Sequence, residues 1–236
     1  MSYFLNFKDW LSTARKEYLQ DFVKNGGSAV KFLVSEDGFQ HEDIVSSLRQ
    51  VAESEGFFFA AVNAANTKTH MIDKIFHEVA KQVNWDNLAY SFLSRILSNS
   101  LKLPDNRSDF TLIKIANLNE QSEPEMRRSI NTLLRQYLFT DYLMTQEFRI
   151  AMLRLCEYQL VPDEINTLTY TCIKEWLQGE LRLLSDLKKA LIFQKIGRHN
   201  ARQMLFSLSH WLKLAGKSGL VLSLDISRYT EKQRPR

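Results

Sequence analysis

The stretch from Val30 to Ile44 constrains this chain more than any other. Val30-Lys31-Phe32-Leu33-Val34 is short and apolar, and Ser35-Glu36-Asp37-Gly38 supplies turn chemistry. From His41 onward Ile44, Val45, Leu48, Val51 and Ala52 recur at helical spacing. Strand, turn and helix in this order restrict the chain to folds in which a helix starts directly off the end of a buried strand. The strand is expected at 29–34 and the helix as far as Glu55.

The neighbouring segments extend the pattern. Phe4, Phe7, Leu11, Ala14, Tyr18 and Phe22 predict an amphipathic helix ahead of the strand, stopped by Asn25-Gly26-Gly27-Ser28. After Gly56, the run Phe57-Phe58-Phe59-Ala60-Ala61-Val62 is apolar without alternation, which suits a strand covered on both faces in a parallel sheet. Strand, helix and strand make a βαβ unit with a right-handed crossover. From His70 the pattern turns helical for a long way, with stripes at Met71–Val83, Leu88–Leu97, Met126–Tyr137 and Phe148–Leu155. Val161-Pro162-Asp163 reads as a stop followed by a new cap. Ala201, Met204, Leu205, Leu208, Trp211 and Leu212 form a last amphipathic helix, and Gly219-Leu220-Val221-Leu222-Ser223-Leu224-Asp225 a strand ending in a carboxylate. Arg228, Lys232, Arg234 and Arg236 give a basic tail, expected to be solvated.

Composition narrows the functional classes. Among 236 residues only 8 are Gly and 4 Pro, as expected of a helix-rich chain. The two cysteines, Cys156 and Cys172, sit in helical patterns and lack the second pair that a structural zinc site needs. No apolar run approaches the ~18 residues of a membrane span, and Met1-Ser2-Tyr3-Phe4 lacks the blocks of a signal peptide. A cytoplasmic protein that makes no membrane contact is expected. His70 and His77 are about two helical turns apart, too far to share one metal, and no G-x-S-x-G, H-E-x-x-H or C-x-x-C is present.

Strand, turn and helix also form the frame of a phosphate-binding loop, in which backbone N–H groups and a helix N-terminus hold an anion. The working loop is G-x-x-x-x-G-K-[ST]. Here the same positions read Ser35-Glu36-Asp37-Gly38-Phe39-Gln40-His41-Glu42.

Three further blocks point to a family. Gly26-Gly27-Ser28-Ala29-Val30-Lys31-Phe32-Leu33-Val34 leads into the loop, and Trp176-Leu177-Gln178-Gly179-Glu180 falls in the helical part. Asn200-Ala201-Arg202-Gln203-Met204-Leu205, Leu214-Ala215-Gly216-Lys217-Ser218-Gly219-Leu220 and the strand to Asp225 close the chain. In this order and spacing the chain resembles the P-loop ATP-binding proteins of BREX-type phage-defence systems, an AAA-like ATPase family. The resemblance implies an α/β fold: a P-loop NTPase-like short parallel sheet of about three strands, helix-rich overall, with a large α-helical insertion. It places the core at 1–84 and 196–236, the insertion at 85–195, a Walker A loop near the start and a Walker B strand near the end. An AAA-like core continues beyond that strand, so either the chain is part of a longer protein or its sheet has an open edge that invites pairing.

Set against that family, the nucleotide site is degenerate. Among Gly38, Gln40, His41, Glu42 and Asp225, the positions that would bind nucleotide and Mg²⁺, only Gly38 and Asp225 keep the family's residue. Ser35 and Gln40 replace loop glycines, His41 the phosphate-binding lysine, and Glu42 the metal-holding Ser/Thr. Ile226 stands where the catalytic glutamate belongs and cannot polarise an attacking water. Glu36, Asp37, Glu42 and Asp43 crowd the helix start, and like charges about 4 Å apart repel by roughly 4 kcal/mol at an effective dielectric near 20. The expectation is a protein without bound cofactor that does not hydrolyse ATP, acting as an interaction or regulatory subunit alongside other protein subunits of a defence complex.

Two alternatives stay open. One is a P-loop protein that still takes ATP with Mg²⁺, using Asp225 and a lysine such as Lys31 or Lys68. The other is a DNA-binding module using the strip Arg127, Arg128, Arg135, Tyr137, Arg149 and Arg154.

Overall fold

The computed structural model describes residues 6–34 and 41–226. Helix α1 (Phe7–Thr13) is capped by Asn6, whose side chain accepts from the Lys8 N–H at 3.0 Å, and it continues as a π-helix over Ala14–Val23. Helix α2 (His41–Ser54) follows, then strand β1 (Phe58–Asn63). The helical body comprises α3 (Ile72–Gln82), α4 (Trp85–Leu97), α5 (Leu112–Leu118), α6 (Glu123–Leu138), α7 (Gln146–Leu160), α8 (Glu164–Gln178) and α9 (Ala201–Leu214). Strand β2 (Leu220–Asp225) comes last and pairs with β1 in parallel, Phe58 opposite Leu220 and Asn63 opposite Asp225.

The caps explain why the helices start where they do. Asn84, Thr111, Thr145 and Asp163 each accept a backbone N–H from the first turn of α4, α5, α7 and α8, satisfying donors that a helix start leaves orphaned. Ser122 and Glu125 form a reciprocal capping box at α6. The cap expected at Asp163 after the Val161-Pro162 stop is therefore formed.

The sheet is covered on both faces, as the unalternating apolar run implied. Phe57 and Phe59 turn to one side and pack with Leu19 and Ala52, beneath α2 and the π-helix. Ala60 and Val62 turn to the other, into a large core with Phe76, Phe92, Leu93, Phe148, Trp176 and Trp211. One continuous core thus joins the sheet to the helical body.

One expected strand does not form. Residues 27–34 are neither helix nor strand, and Val30, Phe32 and Val34 are 80 %, 86 % and 97 % exposed. Strand propensity expresses itself only against a partner strand or a packed face, and among the described residues the segment has neither. The segment is tied to the π-helix through Lys31, whose Nζ donates to the Tyr18 hydroxyl at 2.6 Å and lies 4.0 Å from that ring's centroid. Among the described residues the sheet therefore has two strands rather than three. The parallel crossover runs from β1 through the helical body to β2, not from 29–34 across α2.

The two outer edges of this sheet differ. The Phe58 N–H donates to the Gly219 carbonyl (2.9 Å) and the Ala64 N–H to the Asp225 carbonyl (2.8 Å). In that register the backbone groups of Leu220, Leu222 and Leu224 face away from β1, and they have no hydrogen-bond partner among the described residues. On the far side of β1, Ala61 is covered by the Gln82 side chain of α3.

Candidate functional site

In open α/β sheets ligands collect beyond the carboxyl ends of parallel strands, and a cleft of about 290 Å³ lies there. Helix α2 contributes Glu42, Val45, Ser46 and Arg49, β1 contributes Ala61, Val62 and Asn63, and β2 contributes Ser223 and Asp225. Two of the residues expected from sequence, Glu42 and Asp225, are thus brought to one cleft although 183 positions separate them. Ser35–Gln40, with Gly38 and Gln40, lie outside the described residues; His41 opens α2.

Asp225 is fixed from two directions. Its side-chain Oδ2 accepts from Asn63 Nδ2 at 3.1 Å, and its carbonyl accepts the Ala64 N–H at 2.8 Å. Asn63 is itself oriented by the turn after β1, since its Oδ1 accepts the Ala65 N–H at 2.7 Å. Arg49 brings the lining's guanidinium, 4.8 Å from the Phe59 ring centroid and 3.7 Å from the Glu53 carboxylate. The described lining therefore carries two carboxylates and one cation already engaged by its own helix.

Behind the cleft, a charged node that the sequence did not reveal fixes α2. Glu55 receives Arg15 Nε at 2.8 Å and Gln20 Nε2 at 2.8 Å on one oxygen, and Lys24 Nζ at 2.9 Å on the other. Donation from Lys24, then Arg15, then Gln20 holds its carboxyl at about 2, well below the usual glutamate value. Ser218 Oγ donates to the Glu55 carbonyl at 2.7 Å and the Ser218 N–H to the Gly56 carbonyl at 2.9 Å, which ties the approach to β2 onto the same corner.

The other singled-out residues have structural partners. His77 is buried with Nδ1 2.9 Å from the Leu177 carbonyl, and no group of three or more His, Cys, Asp or Glu able to hold a metal occurs among the described residues. Burial pushes the Cys156 thiol well above its ordinary range. In the arginine strip, Arg127 meets Glu123 at 2.9 Å and Arg154 meets Glu157 at 2.7 Å. Arg149 donates to the Phe139 carbonyl at 2.6 Å and faces the Tyr142 ring. Three of that strip's five arginines are thus committed to neighbours.

Sequence reasoning missed Arg49, Asn63 and Ser223. The signal for Asn63 was its place as the first polar residue after an apolar strand opposite another strand's terminal carboxylate; Arg49 and Ser223 carried none.

The fold is a helix-rich one built around a short parallel sheet with a cleft at its carboxyl end. A family model for the BREX system ATP-binding proteins BrxC/D matches residues 13–232, and the chain belongs to that family. Membership brings a role in phage defence. No curated protein and no solved structure matches the chain. No helix among the described residues is long and apolar enough to cross a membrane.

The blocks that carry the resemblance do structural work here. Trp176 Nε1 donates to the Gln194 carbonyl at 2.9 Å, and Gly179 ends α8 at φ +74°. Asn200 accepts the Gly197 N–H at 2.8 Å and donates to the Lys195 carbonyl at 3.1 Å.

Proposed function

We propose that this protein is a non-hydrolysing member of its family, working as an interaction or regulatory subunit of a phage-defence complex. The frame is P-loop NTPase-like, with residues 1–84 and 196–236 as core and 85–195 as a helical insertion. Gly38, Gln40, His41, Glu42 and Asp225 occupy its degenerate nucleotide-site positions.

The charge of the cleft carries this reading. A triphosphate needs donors and cations around it, and the described lining instead pairs the carboxylates of Glu42 and Asp225 with Arg49, which already faces Glu53. That set does not fit the phosphates. Lys31, a candidate for a substitute cation, is engaged by Tyr18. Ile226, in the position of the family's glutamate, is 57 % exposed and brings no base. The edge of β2, left without a partner among the described residues, supports the interaction role, because an unpaired edge is a template for a strand from another chain.

Calorimetric titration of the full chain with ATP and Mg²⁺, alongside a phosphate-release assay, tests the reading. The expected result is no saturable heat up to millimolar nucleotide and no phosphate above the enzyme-free blank. Micromolar binding would overturn it in favour of a nucleotide-binding protein.

A further inference from the structure

The arginine strip does not account for the chain's positive charge, but two other segments do. Residues 182–202 hold six cations, Arg182, Lys188, Lys189, Lys195, Arg198 and Arg202, against the single acid Asp186. The segment thus carries +5, residues 227–236 carry four cations and one acid, and the rest of the chain carries 21 cations against 25 acids. A second basic run, 227–236, lies outside the described residues.

The segment is built to present that charge outward. Leu187, Ala190, Ile192 and Ile196 are buried in the main core, while all six cations are exposed. Its backbone is pinned by the Ile192 N–H to the Leu187 carbonyl (3.2 Å), by Trp176 to Gln194, and by the Asn200 bridge between Gly197 and Lys195. None of the six forms an ion pair among the described residues. Aromatic faces stand among them: Phe193 is 60 % exposed, and the Arg202 guanidinium lies 5.6 Å from the centroid of the exposed Phe206 ring.

We infer that this face, from the turn after α8 to the first turn of α9, binds the phosphate backbone of nucleic acid without reading its sequence. Exposed cations on an anchored backbone, interleaved with exposed aromatic rings, match the chemistry of phosphates and base faces. A protein partner fits less well, because lysine is depleted in protein–protein interfaces and three of the six cations are lysines. The inference is independent of the nucleotide reading, since none of these residues lines the cleft.

Fluorescence anisotropy with a labelled DNA of about 20 nucleotides, single- and double-stranded, from roughly 50 to 200 mM salt, tests it. The full chain is expected to bind at least one form, with an affinity that falls steeply with salt. For the duplex, log K drops by about 0.9 per phosphate contact for each decade of salt. The K188Q/K189Q/K195Q variant should keep its circular dichroism spectrum and thermal midpoint, bind more weakly, and show a slope shallower by about 3. R127Q/R128Q should bind as the parent does.

Absence of binding at the lowest salt, or parental binding by the triple-lysine variant, overturns the inference. It also falls if R228Q/K232Q/R234Q/R236Q abolishes binding while the triple-lysine variant retains it. Tighter binding of a polyglutamate peptide than of DNA at equal charge overturns it in favour of an acidic protein partner.

Discussion

Gln82 imitates a neighbouring strand for Ala61. Its Oε1 accepts the Ala61 N–H at 3.0 Å while its Nε2 donates to the Ala61 carbonyl at 2.9 Å, so one side chain closes the outer edge of β1. The same Nε2 reaches the Glu78 carbonyl at 3.0 Å, which holds the amide in place along α3. A Gln82→Ala substitution strips both partners from Ala61 and is expected to destabilise the protein by about 1–3 kcal/mol. Urea unfolding measures this, and size-exclusion chromatography should show new self-association as the edge is bared. A parental midpoint and a parental elution profile together would refute the role.

Glu55 predicts the acid limb of stability. Its carboxyl is held at about 2 against an ordinary 4.5, so the folded state binds this proton less readily than the unfolded state. The stabilisation is fully present above about 4.5 and is lost as the pH falls from there toward 2. Glu55→Gln should therefore lower the melting temperature near neutrality, with a gap from the parent that narrows below pH 4.5. A gap constant from neutrality to pH 2.5 would show that the Arg15–Gln20–Lys24 node contributes nothing through charge.

Two helix-ending glycines should respond differently to alanine. Gly179 has φ +74°, and a Cβ there would stand 2.7 Å from the buried His77 ring. At Gly216, with φ +92°, the corresponding atom is the terminal Nη1 of Arg95 at 2.6 Å, the far end of a flexible side chain. Both substitutions incur the left-handed backbone cost of about 1 kcal/mol. Gly179→Ala adds overpacking against a ring that cannot swing away, typically about 1–3 kcal/mol more. Chemical denaturation should rank Gly179→Ala as the more damaging, and the reverse order would contradict this packing.

The exposed segment 29–34 gives a complementary test. With Val30, Phe32 and Val34 in solvent, V30T/F32S/V34T should change stability by no more than about 0.5 kcal/mol. A loss of several kcal/mol would mean that these side chains are buried in a sheet after all.

Much of the fold was legible from the sequence, for reasons particular residues show. Helix periodicity is local, so the stripes at Ile75–Val79 and Met204–Leu208 and the stop at Val161-Pro162-Asp163 announced themselves. The run Phe57–Val62 told of a strand covered on both faces. Pairing is not local, and Val30-Lys31-Phe32 carries the same apolar marks as β1 without a neighbour among the described residues to satisfy it. Within the cleft, Asp225 could be found because it ends a strand and matches a family position. Arg49, Ser223 and the Glu55 node could not, because their roles arise from residues far away in the chain meeting in space. The excess charge at 182–202 was countable from the outset. Its outward presentation rests on Leu187, Ala190, Ile192 and Ile196 being buried, which only the tertiary structure reveals.

The parallel pairing of β1 with β2 has a temporal consequence. Asn63 and its partner Asp225 are 162 residues apart, and a ribosome adding roughly 5–20 residues per second leaves β1 waiting on the order of ten to thirty seconds for its companion. Gln82 follows Ala61 by only 21 residues, so one flank of the nascent strand is shielded almost as soon as it emerges. The other flank stays bare until the helices between have been made, and in that interval a chaperone has most reason to attend this protein.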